Sequence, residues 1–544
     1  MALAETLRRR WHWAGEGSRL WLGLSWAGLL LVLGLIAAFG RDAGMSYDEQ
    51  LQMQYGDMVV AWFASGFKDD RATTFFDLYL YGGLFDAPAQ WLATHSPLGL
   101  LETRHLLTQL IALLGIVASW KMAAHVGGPR AGFFAGLTLA LTPCWIGHGM
   151  FNPKDIPFGS AAAFASLAAV RLAVGPAPLR WRDICLGGLA AGIALGVRPG
   201  GVFVLGYPCL AGGLRLLLEL TRRRREGESL HLGALSLNLL ACCVLVVLIA
   251  WPVMISAWPW AQLQPLTRPL EGIEAASHFN WQNKVLFEGR MIDSDKLPLR
   301  YLPVWFRLTL PETYLLAAMA AVVMLVRLAR HRSWRAEPAL GLAIIACSVV
   351  LPLAAVFIKR PVLYDAQRHV LFLLPPTAAL AGCALSELLH AEWLPRALRG
   401  AAAGVLVGSA IMVCVDMVQL HPYEYVYFNR LSGGLRKRYR KFETDYWGLS
   451  YREGLEWVLR ELPPLHDGRR TRIAGCDDPT TDRLVYYRDN MPGARVQIRV
   501  VPGYDEADLF LAVRRFNCHK VAGEILHVVR RQGAPLLYVR RTEH

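Results

Sequence analysis

The chain has 544 residues, 54% of them hydrophobic and only 18% charged, with a mean hydropathy of +0.30; a soluble domain carries about 25% charge, so an ordinary soluble enzyme is excluded. The formal net charge of +14 does not point to nucleic acid, because Lys and Arg fall in short clusters between apolar runs, the pattern that orients a chain against a bilayer. The sequence has no C-x-x-C spacing for zinc, no G-x-x-x-x-G-K-[ST] loop, no G-x-S-x-G elbow and no H-E-x-x-H helix, which argues against cytoplasmic ATP chemistry and the common hydrolases.

Arg8, Arg9 and Arg10 precede an apolar run from Leu20 to Phe39. That run is too long for a signal h-region and lacks an A-x-A site, so it is expected to stay as the first span, near 20–40. A crossing needs about 20 apolar residues. By that measure spans follow at 105–125, 131–148, 156–174, 184–197, 201–219, 232–256, 311–329, 338–358, 370–389 and 399–420, eleven in all. The stretch 184–219 is divided because "VRPGG" (Val197 to Gly201) breaks a helix, and because two segments place Arg222 to Arg225 on the same side as the N-terminal arginines. That cytoplasmic side also collects Arg130, Arg180, Arg182, "RHRSWR" (Arg330 to Arg335), Arg396 and Arg399. The expected fold class is an α-helical polytopic membrane protein over residues 1–420, followed by a soluble α/β domain at 421–544 on the outer face.

Three long polar segments share that outer face: 41–104, 257–310 and the C-terminal domain. Loops held on a rigid scaffold are where function concentrates. In "SYDEQ", Ser46 reads as a helix N-cap and Glu49 as its capping-box partner. The stripe Leu51, Tyr55, Met58, Val59 and Trp62 then suits a helix lying along the membrane surface. Asp48 is not needed for the cap. The next outer loop, "FNPKDIPF" (Phe151 to Phe158), sets Lys154 and Asp155 between two prolines, as a turn with snorkelling charges or as part of a site. Arg198 stands at the helix break, where it either satisfies freed carbonyls or holds an anion. "KRPVLYDAQRH" (Lys359 to His369) adds Lys359, Arg360, Asp365 and Arg368 against the positive-inside tendency, and an anionic ligand is the simplest reason. Outer carboxylates with outer cations suit transfer from a phosphate-activated donor: the carboxylate takes a proton from the acceptor and the cations stabilise the departing phosphate. A transporter or flippase for an anionic lipid-linked solute is the alternative, favoured by the broken segment.

In the C-terminal part, Ser450 to Leu462 reads as a helix capped by Ser450 and Glu453. "RLVYYRD" (Arg483 to Asp489), "RVQIRVV" (Arg495 to Val501) and "PLLYVRR" (Pro535 to Arg541) read as strands. Cys476 and Cys518 can pair if this domain meets an oxidising compartment, whereas Cys242, Cys243 and Cys347 lie inside apolar segments.

The residues "YDE", "NPKDIPF" and "YDAQRHVLFLLPP" (Tyr364 to Pro376), set among about eleven spans with an outer soluble domain, resemble the GT-C fold of polyprenyl-phosphate-dependent glycosyltransferases. The resemblance covers residues 20–390 and is strongest to glycosyltransferase family 39, the protein O-mannosyltransferase and aminoarabinose transferase relatives, in their bacterial branch. It implies a glycosyltransferase with a polyprenyl-phosphate sugar donor, a lipid or protein acceptor, inversion at the sugar, and a periplasmic active site in a bacterial inner membrane. On that resemblance Asp48 is the acceptor-activating base, with Glu49 and Asp155 as further acids. Lys154, Arg198, Lys359, Arg360 and Arg368 are candidates for the donor phosphate. Some relatives hold a divalent cation with a histidine of the later outer loop, for which His278 is the local candidate. The C-terminal part departs from the eukaryotic mannosyltransferases, so the acceptor class is not carried over.

Overall fold

The computed structural model describes residues 16–174, 180–226, 232–277, 281–330, 336–392, 394–462 and 469–543. The apolar runs fall on helices: α1 (Glu16–Phe39), α4 (Leu100–Ala140), α6 (Asp155–Val174), α7 (Trp181–Val197), α8 (Gly206–Glu226), α9 (Leu232–Ile255), α10 (Glu312–Arg330), α11 (Ala336–Lys359), α12 (Leu374–His390) and α13 (Arg396–Leu420). Between α1 and α4 lie α2 (Glu49–Ala64) and α3 (Asp86–His95), and α5 (Pro143–Gly149) precedes α6. Among the described residues, eight helical stretches are long and apolar enough to cross a membrane.

One of the eight is two passes joined. At 41 residues α4 would be roughly 60 Å long if straight, about twice a bilayer core. It is broken at Gly128, whose φ of 83° only glycine adopts at little cost, and Pro129 opens the second half. Two other passes lie outside those eight: α7 has 17 residues, and α10 carries an apolar stretch over Glu312–Val322 among its described residues. The span expected at 131–148 ends at Ala140 instead. Thr142 and Pro143 restart the chain as the separate short helix α5, because proline cannot continue the preceding turn. The expected break at "VRPGG" is present: α7 stops at Val197, a 3-10 segment runs from Pro199 to Leu205, and α8 begins at Gly206.

Helix α6 is the central post. Its alanines and small residues, from Ala161 to Ala169, are buried against α4, α7, α8 and α11, and small side chains let membrane helices approach closely. Gly382 in α12 serves the same end: a Cβ there would collide with backbone atoms of Ala131 and Ala135.

The C-terminal domain is a mixed five-stranded sheet in the order β4–β3–β5–β7–β6. Its strands are β3 (Thr471–Ala474), β4 (Ile498–Val500), β5 (Leu509–Val513), β6 (Glu524–Arg531) and β7 (Ala534–Arg541), while β1 (Lys284–Phe287) and β2 (Arg290–Asp293) form a hairpin in the 257–310 segment. β3 runs parallel to β4 and β5, whereas β7 is antiparallel to β5 and β6. β5 is buried at every residue, as a strand covered on both faces should be. The expected helix is α14 (Tyr451–Glu461), but its capping box is absent: Glu453 faces Arg531 at 2.6 Å and Tyr423 at 2.9 Å, and Ser450 donates to Asp445.

Two of the expected strands change character. Arg483–Asp489 lies within α15 (Asp478–Asn490), where the Asp477 carboxylate accepts from the Thr480 amide at 3.0 Å and Pro479 stands in the first turn. That N-cap outweighs the alternating side chains. Of Arg495–Val501, the first residues form a short helix, Ala494–Gln497, and the strand starts at Ile498. Pro535–Arg541 is strand β7.

Candidate active site

The two acids of "SYDEQ" diverge. Asp48 is the N-cap of α2 and makes no capping hydrogen bond with its side chain. Its carboxylate is 45% exposed and lies 3.8 Å from Arg368 Nη1. Glu49 turns inward instead. One oxygen accepts from the Ser46 amide at 2.6 Å, which is half of the expected capping box, and the other pairs with His105 Nε2 at 2.7 Å. Glu49 and His105 are both buried, so Glu49 fixes the start of α2 and does not face Arg368.

Asp155 opens α6 and pairs with Arg198, brought over by the break after α7. Asn152 Nδ2 donates to Asp155 Oδ2 at 2.9 Å, and its own position is fixed by His148 Nδ1 at 3.0 Å. Burial holds the His148 imidazole down to about 3, so it is neutral and free to accept from Asn152. The "NPKD" turn is thus a device that presents one carboxylate to Arg198. Lys154 points another way, with its ammonium 4.5 Å above the Tyr81 ring.

The segment Tyr364–His369 completes the group. Asp365 and Ala366 both adopt left-handed backbone angles, φ 55° and 61°. Two such residues in a row cost about 1–2 kcal/mol each, and the surroundings hold them: Asp365 Oδ1 lies 2.9 Å from Arg515 Nη2, and Gln367 Nε2 donates to Thr309 Oγ1 at 2.9 Å. This bend delivers Arg368, whose guanidinium is sandwiched between the rings of Tyr364 at 4.5 Å and Trp447 at 4.7 Å. Stacking of that kind pre-orients a guanidinium for an anion. Arg368 Nε, Arg515 Nε and His369 Nδ1 are buried without a hydrogen-bond partner, while Arg368 Nε stands 3.5 Å from Asp365.

Charges here balance closely. Burial pushes the Asp365 carboxyl up, and Arg515 and then Arg368 pull it back. Glu443, behind it, is pushed up to about 8 by burial and by the Asp365 charge.

Of the cations expected from the sequence, Arg198 and Arg368 join this group, Lys154 lies beside it, and Lys359 and Arg360 are exposed at the end of α11. His278 lies outside the described residues. Among the described residues no group of three or more His, Cys, Asp and Glu side chains is placed to hold a metal ion, and Asp48 and Asp155 each face a guanidinium. Sequence reasoning missed Tyr364, Glu443, Trp447 and Arg515. Tyr364 stood inside a quoted motif, but nothing in a single chain tells that Arg515, 150 residues beyond Asp365, returns to it.

No family model matches this chain, and no curated protein matches it. Solved structures do resemble it. It is similar to ArnT from Cupriavidus metallidurans bound to undecaprenyl phosphate, at 17% identity over 95% of this chain and 98% of that one, with a TM-score of 0.46. It is also similar to the Archaeoglobus fulgidus oligosaccharyltransferase in the apo form (12% identity, 90% of this chain, 65% of that one, TM-score 0.47). A third is the arabinosyltransferase EmbB from Mycobacterium smegmatis (15% identity, 93% of this chain, 45% of that one, TM-score 0.42). Each of these likenesses scores below 0.5, so the functional reading rests on the site itself.

Proposed function

We propose that the chain is a multi-pass membrane glycosyltransferase that moves a sugar from a polyprenyl-phosphate donor to an acceptor on the outer, periplasmic face of a bacterial inner membrane. One observation carries the reading: a half-exposed carboxylate, Asp48, stands 3.8 Å from a stacked, buried guanidinium, Arg368, beside the ends of apolar helices. An acid poised to take a proton and a cation poised to receive phosphate are the two parts that such a transfer needs. The donor phosphate meets Arg368 and Arg198, while Asp48 accepts the proton of the acceptor hydroxyl. The acceptor oxygen bonds to the anomeric carbon as the carbon–oxygen bond to phosphate breaks, and the electron pair leaves with the polyprenyl phosphate. A single in-line displacement inverts the anomeric centre. Asp155 holds Arg198 in position rather than reacting. The disulfide between Cys476 and Cys518 supports an oxidising, outer location for the C-terminal domain.

The test is sugar release from a radiolabelled polyprenyl-phosphate donor pool by purified protein and by Asp48→Asn. Turnover by the wild type alone supports the reading, and turnover by a folded Asn variant removes Asp48 from the role of base. The 3-10 break from Pro199 to Leu205 is a feature that a transporter would share. Cysteine labelling at position 198 from both faces separates the two, since two-sided access favours transport.

A further inference from the structure

We infer that the C-terminal domain shapes the stretch Arg41–Asp48 and thereby aims Asp48, with Arg452, Tyr487, Arg483 and Arg515 acting as positioning residues; the inference rests on the reading of Asp48 as the base. Among the described residues no hydrogen bond orients the Asp48 side chain, so its direction follows its backbone, fixed on one side by the first turn of α2 and on the other by the stretch before it. The C-terminal domain holds the backbone at Arg41, Ala43, Gly44 and Met45 and the side chain of Tyr47. Arg452 Nη1 donates to the carbonyl oxygens of Arg41 at 2.6 Å and Ala43 at 3.0 Å. Gly44 packs so closely on the Leu449 carbonyl that any Cβ would overlap it. The Met45 amide donates to Tyr487 Oη at 2.6 Å.

The ring of Tyr47, one residue before Asp48, lies between two guanidinium groups of the same domain, Arg483 at 4.2 Å and Arg515 at 5.4 Å. The Tyr47 and Thr480 hydroxyls also meet at 3.4 Å. Arg483 is fixed in turn by donating to the Gly448 carbonyl at 2.7 Å.

Arg515 does two things at once. It stacks on Tyr47 and faces Asp365 Oδ1 at 2.9 Å, so one side chain links the loop of Asp48 to the bend that presents Arg368. Its segment is itself tethered, because Cys518, three residues on, is joined to Cys476 beside the start of α15, the helix that carries Arg483. Base and phosphate cation are therefore registered to each other through a domain that is remote in sequence and supplies no acid of its own to the reaction.

The deciding experiment uses the full-length protein, with Tyr487→Phe, Arg483→Gln, Arg515→Gln and Arg515→Lys compared with wild type in two measurements. The first is backbone hydrogen exchange over residues 41–49. Tyr487→Phe keeps the packed ring and removes only the acceptor oxygen, so the Met45 amide should exchange about tenfold faster, the loss of one hydrogen bond, with the rest of the domain unchanged. The second is kcat and KM for the polyprenyl-phosphate donor. Misplacement of a base by about 1 Å lowers turnover roughly 100-fold, so kcat should fall while donor KM stays, and Arg515→Lys should recover part of what Arg515→Gln loses. Unchanged exchange at Met45, exchange that rises evenly over the whole domain in Tyr487→Phe, or faster exchange with full kcat each overturns the inference. If the wild type turns over no donor, the proposed function fails, whereas the exchange result still decides whether the domain holds the loop.

Discussion

Two charged clusters lie one residue apart in the chain and behave in opposite ways. Glu49 enters the cluster beneath α2, where His105 and the Ser46 amide take its two oxygens, and where Arg104 reaches Asp86 at 2.5 Å and Gln90 at 3.2 Å. All of these side chains are buried. Asp48 enters the cluster of Asp155, Arg198, Asp365, Arg368 and Arg515, which keeps a half-exposed acid; a buried guanidinium Nε without a hydrogen bond occurs in both clusters, at Arg104 and at Arg368. A closed cluster, with its charged side chains buried and facing one another, locks a loop, and breaking it exposes an uncompensated buried charge. One that leaves an acid open to solvent beside a stacked guanidinium is set up for a ligand. Adjacency in sequence says nothing about which is which, because a helix start turns successive residues by about 100°.

The largest effect expected from this contrast is on turnover. Asp48→Asn should lower kcat by about 10²–10⁴-fold and leave the unfolding temperature near wild type, since surface substitutions away from packed features stay within about 0.5 kcal/mol. Donor turnover and thermal unfolding in detergent check it together, and equal loss of turnover in Asp48→Asn and Glu49→Gln would erase the distinction between the clusters. The closed cluster should respond in stability. Arg104→Met strands the buried Asp86 carboxylate, a change of the kind that costs about 3–5 kcal/mol, with kcat per folded molecule retained. Glu49→Gln removes one charge-assisted bond and should cost about 1.5–3 kcal/mol, read by the same unfolding measurement.

The membrane part was largely legible because apolar length is a strong signal, and each run of about 20 residues has little choice but to be a helix. The boundary that slipped furthest, at Ala140, is set by Thr142 and Pro143 inside a largely apolar run. The acids and cations of the site could be named because charge beside an apolar run is conspicuous. Their partners could not, since Asp155 with Arg198 spans 43 positions and Asp365 with Arg515 spans 150. In the C-terminal domain local pattern competed with capping. "RLVYYRD" alternates like a strand, but Asp477 and Pro479 just ahead of it start a helix. A reading that weighs the cap before the alternation would place α15 correctly.

The smallest expected effect probes the edge of the open cluster through Glu443. Its carboxyl is pushed from an ordinary 4.5 up to about 8, first by burial and then by the Asp365 charge. The folded chain therefore binds this proton across a pH range in which the unfolded chain has released it. By linkage, stability falls as pH rises from about 4.5, and the loss from this group is complete once pH passes about 8. Most buried carboxylates paired with cations do the reverse, gaining stability as pH rises. Glu443→Gln mimics the protonated form and removes the dependence. Its apparent unfolding temperature should change by a few degrees less than that of wild type between about pH 6 and pH 9. Identical slopes would mean that Arg515 keeps Glu443 ionised throughout, in which case Arg515 is shared between two carboxylates and holds Asp365 less tightly than the geometry implies.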